Sequence, residues 1–309
     1  CLLSRGLGDV YKRQWLHSVR ETGATIVHYL GVMPAMLLAA PASPSDREHA
    51  VRWAFGAGVD RRNHGVFEER FGFPLVEAWA MTETGAAACV MANHEPRHIG
   101  TSCFGRPEDF VELRLVDEAG ADVPVGTPGE LLVRSAGPDP RRYFFSGYLK
   151  DEAATQEAWA DGWFHTGDMV RRESDGSLCF VDRKKNVIRR SGENISAVEV
   201  ESVLNQHPAV KSSAVAATPD AVRGDEVLAC IVLHEAVSVD ARSAMALSIV
   251  AHALDQLAYY KAPGYVAFVD ALPLTASQKI QRGELRVLAQ GLPGQVHCID
   301  TRGLKKRQG

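Results

Sequence analysis

The stretch Gly162 to Asn194, GWFHTGDMVRRESDGSLCFVDRKKNVIRRSGEN, decides how the rest of the chain is read. Its apolar and aromatic start ends in Thr166-Gly167-Asp168, read as a turn presenting a carboxylate. Gly permits the tight backbone there, and Asp accepts two hydroxyl hydrogens, the chemistry of a diol or sugar clamp. Asp175-Gly176 is a tight-turn pair between Met169-Val170 and Leu178-Cys179-Phe180-Val181, the sequence form of a β-hairpin that carries Asp182-Arg183 to its far end. A cationic run, Arg183-Lys184-Lys185, then leads through Val187-Ile188 to Ser191-Gly192-Glu193-Asn194, whose composition is that of a turn. On spacing alone the run is a solvated loop or a hinge, and the solvated exit has precedence because charge runs are usually solvated faces.

Upstream, a helical run at Trp15, Leu16 and Val19 leads through Gly23 into a strand, Thr25 to Leu30. A helix over Ala35 to Ala40 follows Pro34, then a strand at Val51 to Ala57, a helix at Asn63 to Phe71 and a strand at Phe73 to Trp79. Such alternation predicts an α/β sheet covered by helices. At the end of its last strand, Trp79-Ala80-Met81-Thr82-Glu83-Thr84-Gly85 offers a flat ring, a hydroxyl and a carboxylate. A ring stacks on a purine, and Thr with Glu holds Mg²⁺ beside phosphates through hard oxygen ligands. Taken alone, the same residues are a strand end and a capped turn.

Val111 to Arg134 alternates as a β-meander, and Asp151 to Trp159 reads as a helix. Beyond the hairpin, Ser196 and Glu199 form a capping box for a helix bearing Val200, Val203 and Leu204 on one face. Strands at Val210 to Ala217 and Glu226 to Leu233, a helix at Ala241 to Leu257 and a strand at Tyr265 to Val269 complete a small α+β domain. It ends in a Thr/Ser/Pro-rich loop around Lys279. Residues 289–309 show no periodicity and are expected to be a solvated tail.

The chain has 309 residues, enough for two cores, since one core rarely grows beyond roughly 250 to 300 residues. It is 46% hydrophobic and 23% charged, with a formal net charge of −4, which is a globular composition without the basic excess of a nucleic-acid or anionic-membrane binder. Six cysteines at 1, 89, 103, 179, 230 and 298 form no C-x-x-C pair, which argues against a zinc site and a disulfide framework and for a reducing, cytoplasmic setting. No apolar run reaches the ~20 residues of a membrane helix. Residues 1–14 lack the features of a signal peptide and are expected to be artefactual or disordered.

Taken in order, these motifs resemble the adenylate-forming acyl-CoA synthetase (AMP-binding) family. The ordered set from Thr25 to Leu288 carries the resemblance. It is closest to medium- and long-chain acyl-CoA ligases and carnitine/crotonobetaine CoA ligases through DGWFHTGD, FVDRKKNVIRRSGENIS and the Glu199 helix. The resemblance implies an α/β fold: residues 15–184 as the C-terminal portion of a large adenylate-forming domain with a β-subdomain, and residues 185–288 as a small mobile α+β domain. It implies an acid–thiol ligase of fatty-acid type. A carboxylate attacks the α-phosphate of ATP to give an acyl-adenylate and pyrophosphate, and the CoA thiol then displaces AMP.

Position by position, the resemblance puts Trp79 on the adenine-stacking aromatic, Thr82 on the α-phosphate hydroxyl and Glu83 on the Mg²⁺ carboxylate. Asp168 and Arg183 fall on the ribose contacts, Lys185 on the hinge, Gly192 on the glycine of the pantetheine passage and Lys279 on the lysine bridging carboxylate and α-phosphate. ATP, Mg²⁺, CoA and a small carboxylic acid are the implied cofactors and partners.

Three departures stand out. Ala80 replaces the Gly of the family's Tyr-Gly-x-Thr-Glu, and Gln278 stands where Gly is frequent in the lysine loop. The Ser/Thr/Gly-rich phosphate loop followed by Pro-Lys is absent, so the sequence reads as an N-terminally truncated ligase, inactive by itself. Two alternatives remain: an adenylate former donating to a carrier protein or other acceptor, and a non-catalytic nucleotide-binding remnant. His28 and Tyr29 are expected along the acyl pocket, and His165, beside Asp168, is expected as a packing or polar-rim residue rather than a base.

Overall fold

The computed structural model describes residues 12–38, 40–85, 88–275 and 279–305. The chain divides into two compact units, Cys1–Val181 and Asp182–Gly309. Among the described residues no helix is long and apolar enough to cross a membrane.

In the first unit, helix α1 (Lys12–Thr22) precedes strand β1 (Ile26–Leu30), helix α2 (Val32–Leu38), strand β2 (Trp53–Ala57), helix α3 (Arg61–Phe71), strand β3 (Leu75–Trp79) and strand β4 (Val90–Met91). The sheet order is β1-β2-β3-β4, with the first three strands parallel and β4 antiparallel. Helix α3 shows why the pattern holds. The Asp60 carboxylate accepts the Arg62 N–H at its start, and Gly72 at φ 79° closes its end. Phe67 and Phe71, four apart, stack at 4.4 Å on the core face, where Trp15, Val19, Val27 and Leu75 meet them. α1 begins at Lys12, inside the segment expected to lie outside the fold.

Strand alternation sends His28 and Tyr29 to opposite faces of this sheet. Tyr29 is buried and donates its hydroxyl to Glu77 Oε1 at 2.7 Å. It is therefore part of a core network rather than a pocket wall. His28 stands exposed, edge-on to Phe55 at 4.9 Å.

Strands β5 (Val111–Val116) and β6 (Gly129–Ser135), helix α4 (Glu152–Ala158) and strands β7 (Phe164–Arg172) and β8 (Leu178–Arg183) form the β-subdomain, in sheet order β5-β6-β7-β8. The Asp175-Gly176 turn joins β7 to β8, as the hairpin reading expects. Thr166-Gly167-Asp168, however, is not a turn but the middle of β7. Met169 pairs with Glu130 and His165 with Leu132, so residues 166–168 lie opposite the single residue Leu131 as a bulge, with Gly167 at φ 67°. Two of the cysteines meet in a way their sequence spacing does not show. Cys103 and Cys179 face each other across an antiparallel bridge, since residues 76 apart in sequence can be neighbours in a sheet.

In the second unit come strands β9 (Ile188–Arg190) and β10 (Glu193–Ile195), helix α5 (Ala197–Leu204), strands β11 (Val210–Asp220) and β12 (Gly224–Leu233), helix α6 (Val239–Leu254), strand β13 (Tyr265–Phe268), helix α7 (Arg282–Gly291) and strand β14 (Cys298–Asp300). The sheet runs β10-β9-β12-β13-β14, with β11 also pairing β12. β12 reads as a continuous apolar run because both faces are covered. Val227, Ala229 and Ile231 pack with α5 and α6, while Leu228 and Cys230 pack with Leu285 and Ala289 of α7.

Of residues 289–309, expected as a tail, the described part to Lys305 instead finishes α7 and supplies the edge strand β14. Lys305 is buried, and its ammonium sits 2.5 Å from Glu226 Oε1. Weak periodicity concealed this part, because a three-residue edge strand and one buried lysine carry no pattern. The capping box at α5 is half formed. Ser196 Oγ accepts the Glu199 N–H at 3.2 Å, while the Glu199 carboxylate binds Lys261 Nζ at 2.7 and 2.8 Å.

Candidate active site

The carboxyl ends of the parallel strands β1, β2 and β3 are where open α/β sheets place ligands. Glu77, buried on β3, organises that edge. It accepts the Tyr29 hydroxyl and the backbone N–H groups of Gly58 and Val59, both at 3.0 Å, so it ties the turn after β2 to its neighbours. Burial raises its carboxyl, opposed by the Tyr29 hydrogen bond and the two backbone donors. Gly56, between Tyr29 and Glu77 in the register, leaves no room for a Cβ, which would lie 2.2 Å from the Tyr29 carbonyl oxygen.

Trp79 ends β3. Its ring stacks on Phe104 at 6.1 Å and 28°, and its Nε1–H donates to Asp168 Oδ2 at 2.8 Å. The β7 bulge accounts for this meeting. Thr166 Oγ1 donates to the Leu131 carbonyl at 2.7 Å and accepts the Asp168 N–H at 3.0 Å, which orients the buried Asp168 side chain toward the indole.

Thr82 and Glu83 follow on the turn that leaves β3. Buried Thr84 braces this turn, its hydroxyl within 3.1 Å of the Met81 N–H and of the Met81 and Ala88 carbonyls. Thr82 is exposed. Glu83 is half-buried, its Oε1 accepts the Tyr148 hydroxyl at 3.1 Å, and its carbonyl accepts the Phe145 N–H at 2.9 Å. A hydroxyl and a carboxylate on one braced turn are a hard-oxygen set that fits Mg²⁺ completed by phosphate and water. His165 Nδ1 lies 3.7 Å from Glu130 Oε1 and is half-buried.

The second unit carries the other expected residues. Arg183 is half-buried beside Asp182, whose buried carboxylate takes the Ser196 hydroxyl at 3.1 Å and the Val198 N–H at 3.3 Å, anchoring the start of α5. Lys185 is exposed on a short 3₁₀ turn, and its carbonyl accepts from the Arg286 guanidinium of α7. Ser191 and Gly192 form the tight turn between β9 and β10, at φ 52° and 85°. Among the described residues a Cβ on Gly192 would meet no atom within 4 Å, so the backbone conformation, and not a close approach, asks for glycine there.

Lys279 is exposed. It closes a small loop, its N–H on Thr275 Oγ1 at 3.1 Å and its carbonyl on the Thr275 N–H at 2.8 Å. Gln278 lies outside the described residues.

The structure thus brings Trp79 to Asp168, while Thr82 and Glu83 follow Trp79 on the turn that leaves β3. Glu77, Thr84, Phe104 and Tyr148 were missed by sequence reasoning. Only Glu77 had a local signal, a carboxylate inside an otherwise apolar strand.

The family description "AMP-binding enzyme" matches residues 2–149, and "AMP-binding enzyme C-terminal domain" matches residues 199–279. A crotonobetaine/carnitine–CoA ligase of Citrobacter koseri is 29% identical over 275 residues, covering 89% of this chain and 52% of the relative, so the chain spans about half the length of the curated relatives it matches. Among solved structures, the amide bond synthetase McbA of Marinactinospora thermotolerans superposes with a TM-score of 0.73 at 27% identity, over 90% of this chain and 55% of that one. The o-succinylbenzoate–CoA synthetase MenE of Bacillus subtilis, with its acyl-adenylate intermediate, gives a TM-score of 0.73 at 28% identity, over 89% and 53%.

Proposed function

The chain belongs to the AMP-binding enzyme and acyl-CoA ligase superfamily, and from that premise we propose that its whole protein is an ATP-dependent acid–CoA ligase. The Trp79–Asp168 hydrogen bond, beside the Thr82-Glu83 turn at the carboxyl edge of a parallel sheet, is the observation that carries the proposal. It gives a fixed aromatic wall for adenine and a fixed carboxylate for ribose hydroxyls at the place where such sheets bind ligands.

In the first half-reaction a carboxylate oxygen of the acid attacks the α-phosphorus and pyrophosphate leaves. The protein's contribution is positioning and charge neutralisation, not covalent help. Thr82 would donate to the α-phosphate, Glu83 would hold Mg²⁺, Arg183 would contact the ribose, and the Lys279 ammonium would bridge the acid and the α-phosphate. Bound Mg²⁺ supplies charge neutralisation at the phosphates. In the second half-reaction the CoA thiol attacks the acyl carbon and AMP departs. Lys279 and Gly192 belong to the same unit, so a rotation about Lys185 lets one serve adenylation and the other thioester formation.

The acid acceptor has a second reading, because McbA, as similar to this chain as MenE is, is named as an amide bond synthetase. Transfer to an amine in place of a thiol would use the same first half-reaction.

The test is to supply the whole protein with ATP, Mg²⁺ and CoA and to follow pyrophosphate release across a panel of carboxylic acids, crotonobetaine and medium-chain fatty acids included. Release with at least one acid and matching loss of free CoA thiol are expected. Release without thiol loss, but with amide product when an amine is added, would shift the reading to the second acceptor. No release from any acid would remove the ligase reading.

A further inference from the structure

Glu83 is gripped by a stretch of chain far from it in sequence, residues 143–148. The Phe145 N–H donates to the Glu83 carbonyl at 2.9 Å, and the Tyr148 hydroxyl donates to Glu83 Oε1 at 3.1 Å. One segment therefore holds both the backbone and the side chain of this residue. It also passes close against Gly85, where a Cβ would lie 2.6 Å from the Tyr143 carbonyl oxygen.

Tyr148 is itself held. Its N–H donates to the Thr155 hydroxyl at 2.9 Å, and buried Thr155 donates in turn to the Asp151 carbonyl at 2.9 Å. Gly147, at φ 150°, lets the chain run close against Thr155, where a Cβ would come within 3.1 Å of the hydroxyl oxygen. The Tyr148 ring stands edge-on to Phe145 at 4.9 Å, and Phe145 stands edge-on to buried Phe164 at 5.7 Å. Although Tyr148 is 39% exposed, its backbone and ring are both anchored, so its hydroxyl arrives at Glu83 from one direction. A phenol that donates to a carboxylate oxygen limits the rotation of that carboxylate. Where the carboxylate is also a metal ligand, such an outer partner is worth on the order of 10–100-fold in metal affinity or activity.

We propose that Tyr148 is a positioning residue for the Mg²⁺ carboxylate, its hydroxyl fixing Oε1 of Glu83 and leaving the other oxygen for the ion. This rests on the function proposed above, which puts Mg²⁺ at Glu83. A merely structural tyrosine would act through the packing of its ring on Phe145. The positioning role acts through the hydroxyl alone and through one carboxylate, and both differences are measurable.

The test uses the whole protein and Tyr148→Phe, which removes the hydroxyl and keeps the ring. Mn²⁺–ATP is the probe, and its binding is followed by water proton relaxation without any acid substrate. The dissociation constant of Mn²⁺–ATP should rise by about ten-fold in Tyr148→Phe. The Mg²⁺ concentration for half-maximal pyrophosphate release should rise by about the same factor, more than the maximal rate falls. Glu83→Gln should weaken Mn²⁺–ATP binding as well, and adding Tyr148→Phe to it should change the constant by less than about two-fold, because the hydroxyl acts through that carboxylate.

Equal Mn²⁺–ATP affinity in wild type and Tyr148→Phe overturns the proposal. So does a loss that persists in full on the Glu83→Gln background, since the hydroxyl would then act elsewhere. A wild-type protein that binds no Mn²⁺–ATP and releases no pyrophosphate with any acid fails the functional reading instead, and the role of Tyr148 falls with it.

Discussion

In the first unit Trp79 and Asp168 are 6% and 2% exposed and hydrogen-bonded to each other, on a strand end and a bulge that are each braced by further hydrogen bonds. In the second unit Lys185, Gly192 and Lys279 stand exposed on a 3₁₀ turn, a hairpin turn and a short loop. The difference suits two kinds of work. A group that must hold a ligand in one place gains from being packed, whereas one that must act in one half-reaction and withdraw in the other gains from a backbone free to move.

The strongest way to break this comparison is at its packed end. Trp79→Ala removes a buried aromatic from a core shared with Phe104 and Leu131 and leaves the Asp168 carboxylate without its indole donor, so a loss of about 3–5 kcal/mol is expected. Urea denaturation of the chain measures it. A loss under 1 kcal/mol would mean that the indole is not a structural member of the site.

Lys279→Ala tests the exposed end. In the whole protein it should lower pyrophosphate release by about 10²–10³-fold, the cost of one electrostatic group at a transferring phosphoryl, while the denaturation midpoint stays put. A fall in stability comparable to that of Trp79→Ala would erase the distinction between the two regions.

A third measurement sharpens the packed side by acid. Burial alone would raise the Glu68 carboxyl, but Arg97 at 2.7 and 3.0 Å, His64 at 3.1 Å and the Leu75 N–H at 2.8 Å outweigh it and hold the group at about 2, against an ordinary 4.5. A depressed folded value means that the contribution is complete above pH 4.5 and fades as pH falls toward 2. Solvent screening of this partly exposed group leaves it worth about 1–2 kcal/mol. Stability of the wild type should drop over that window, and Glu68→Gln should flatten the slope there. An unchanged slope would show that the ion pair does not set the acid limit.

Much of this arrangement was legible in the sequence where one residue type implies one local geometry. The Asp175-Gly176 hairpin is of that kind. The apolar run Glu226 to Leu233 read as a strand, and β12 is one. What stayed hidden depends on distant pairing. Thr166-Gly167-Asp168 has turn composition, yet pairing with β6 makes it a bulge inside a strand. Tyr29 looked like a pocket residue until the register put it beside Glu77, and Cys103 and Cys179 became neighbours only through the sheet. The candidate site follows the same division, with Trp79, Thr82 and Glu83 visible as one short motif and the Asp168 bond visible only in three dimensions.

The smallest effect lies at Gly192. If its glycine served close packing within its own unit, Gly192→Ala would clash, but a Cβ there meets no described atom within 4 Å and the residue sits at φ 85°. The cost should therefore be conformational only, about 1 kcal/mol for a left-handed residue given a side chain. Gly192→Asn, which tolerates that region better, should recover part of it. In the whole protein the two substitutions separate turn from passage. A stability loss with the CoA step intact makes Gly192 a turn residue, whereas slowed thioester formation with unchanged pyrophosphate release and a midpoint within 1 kcal/mol of wild type means that the methyl meets an incoming thiol arm.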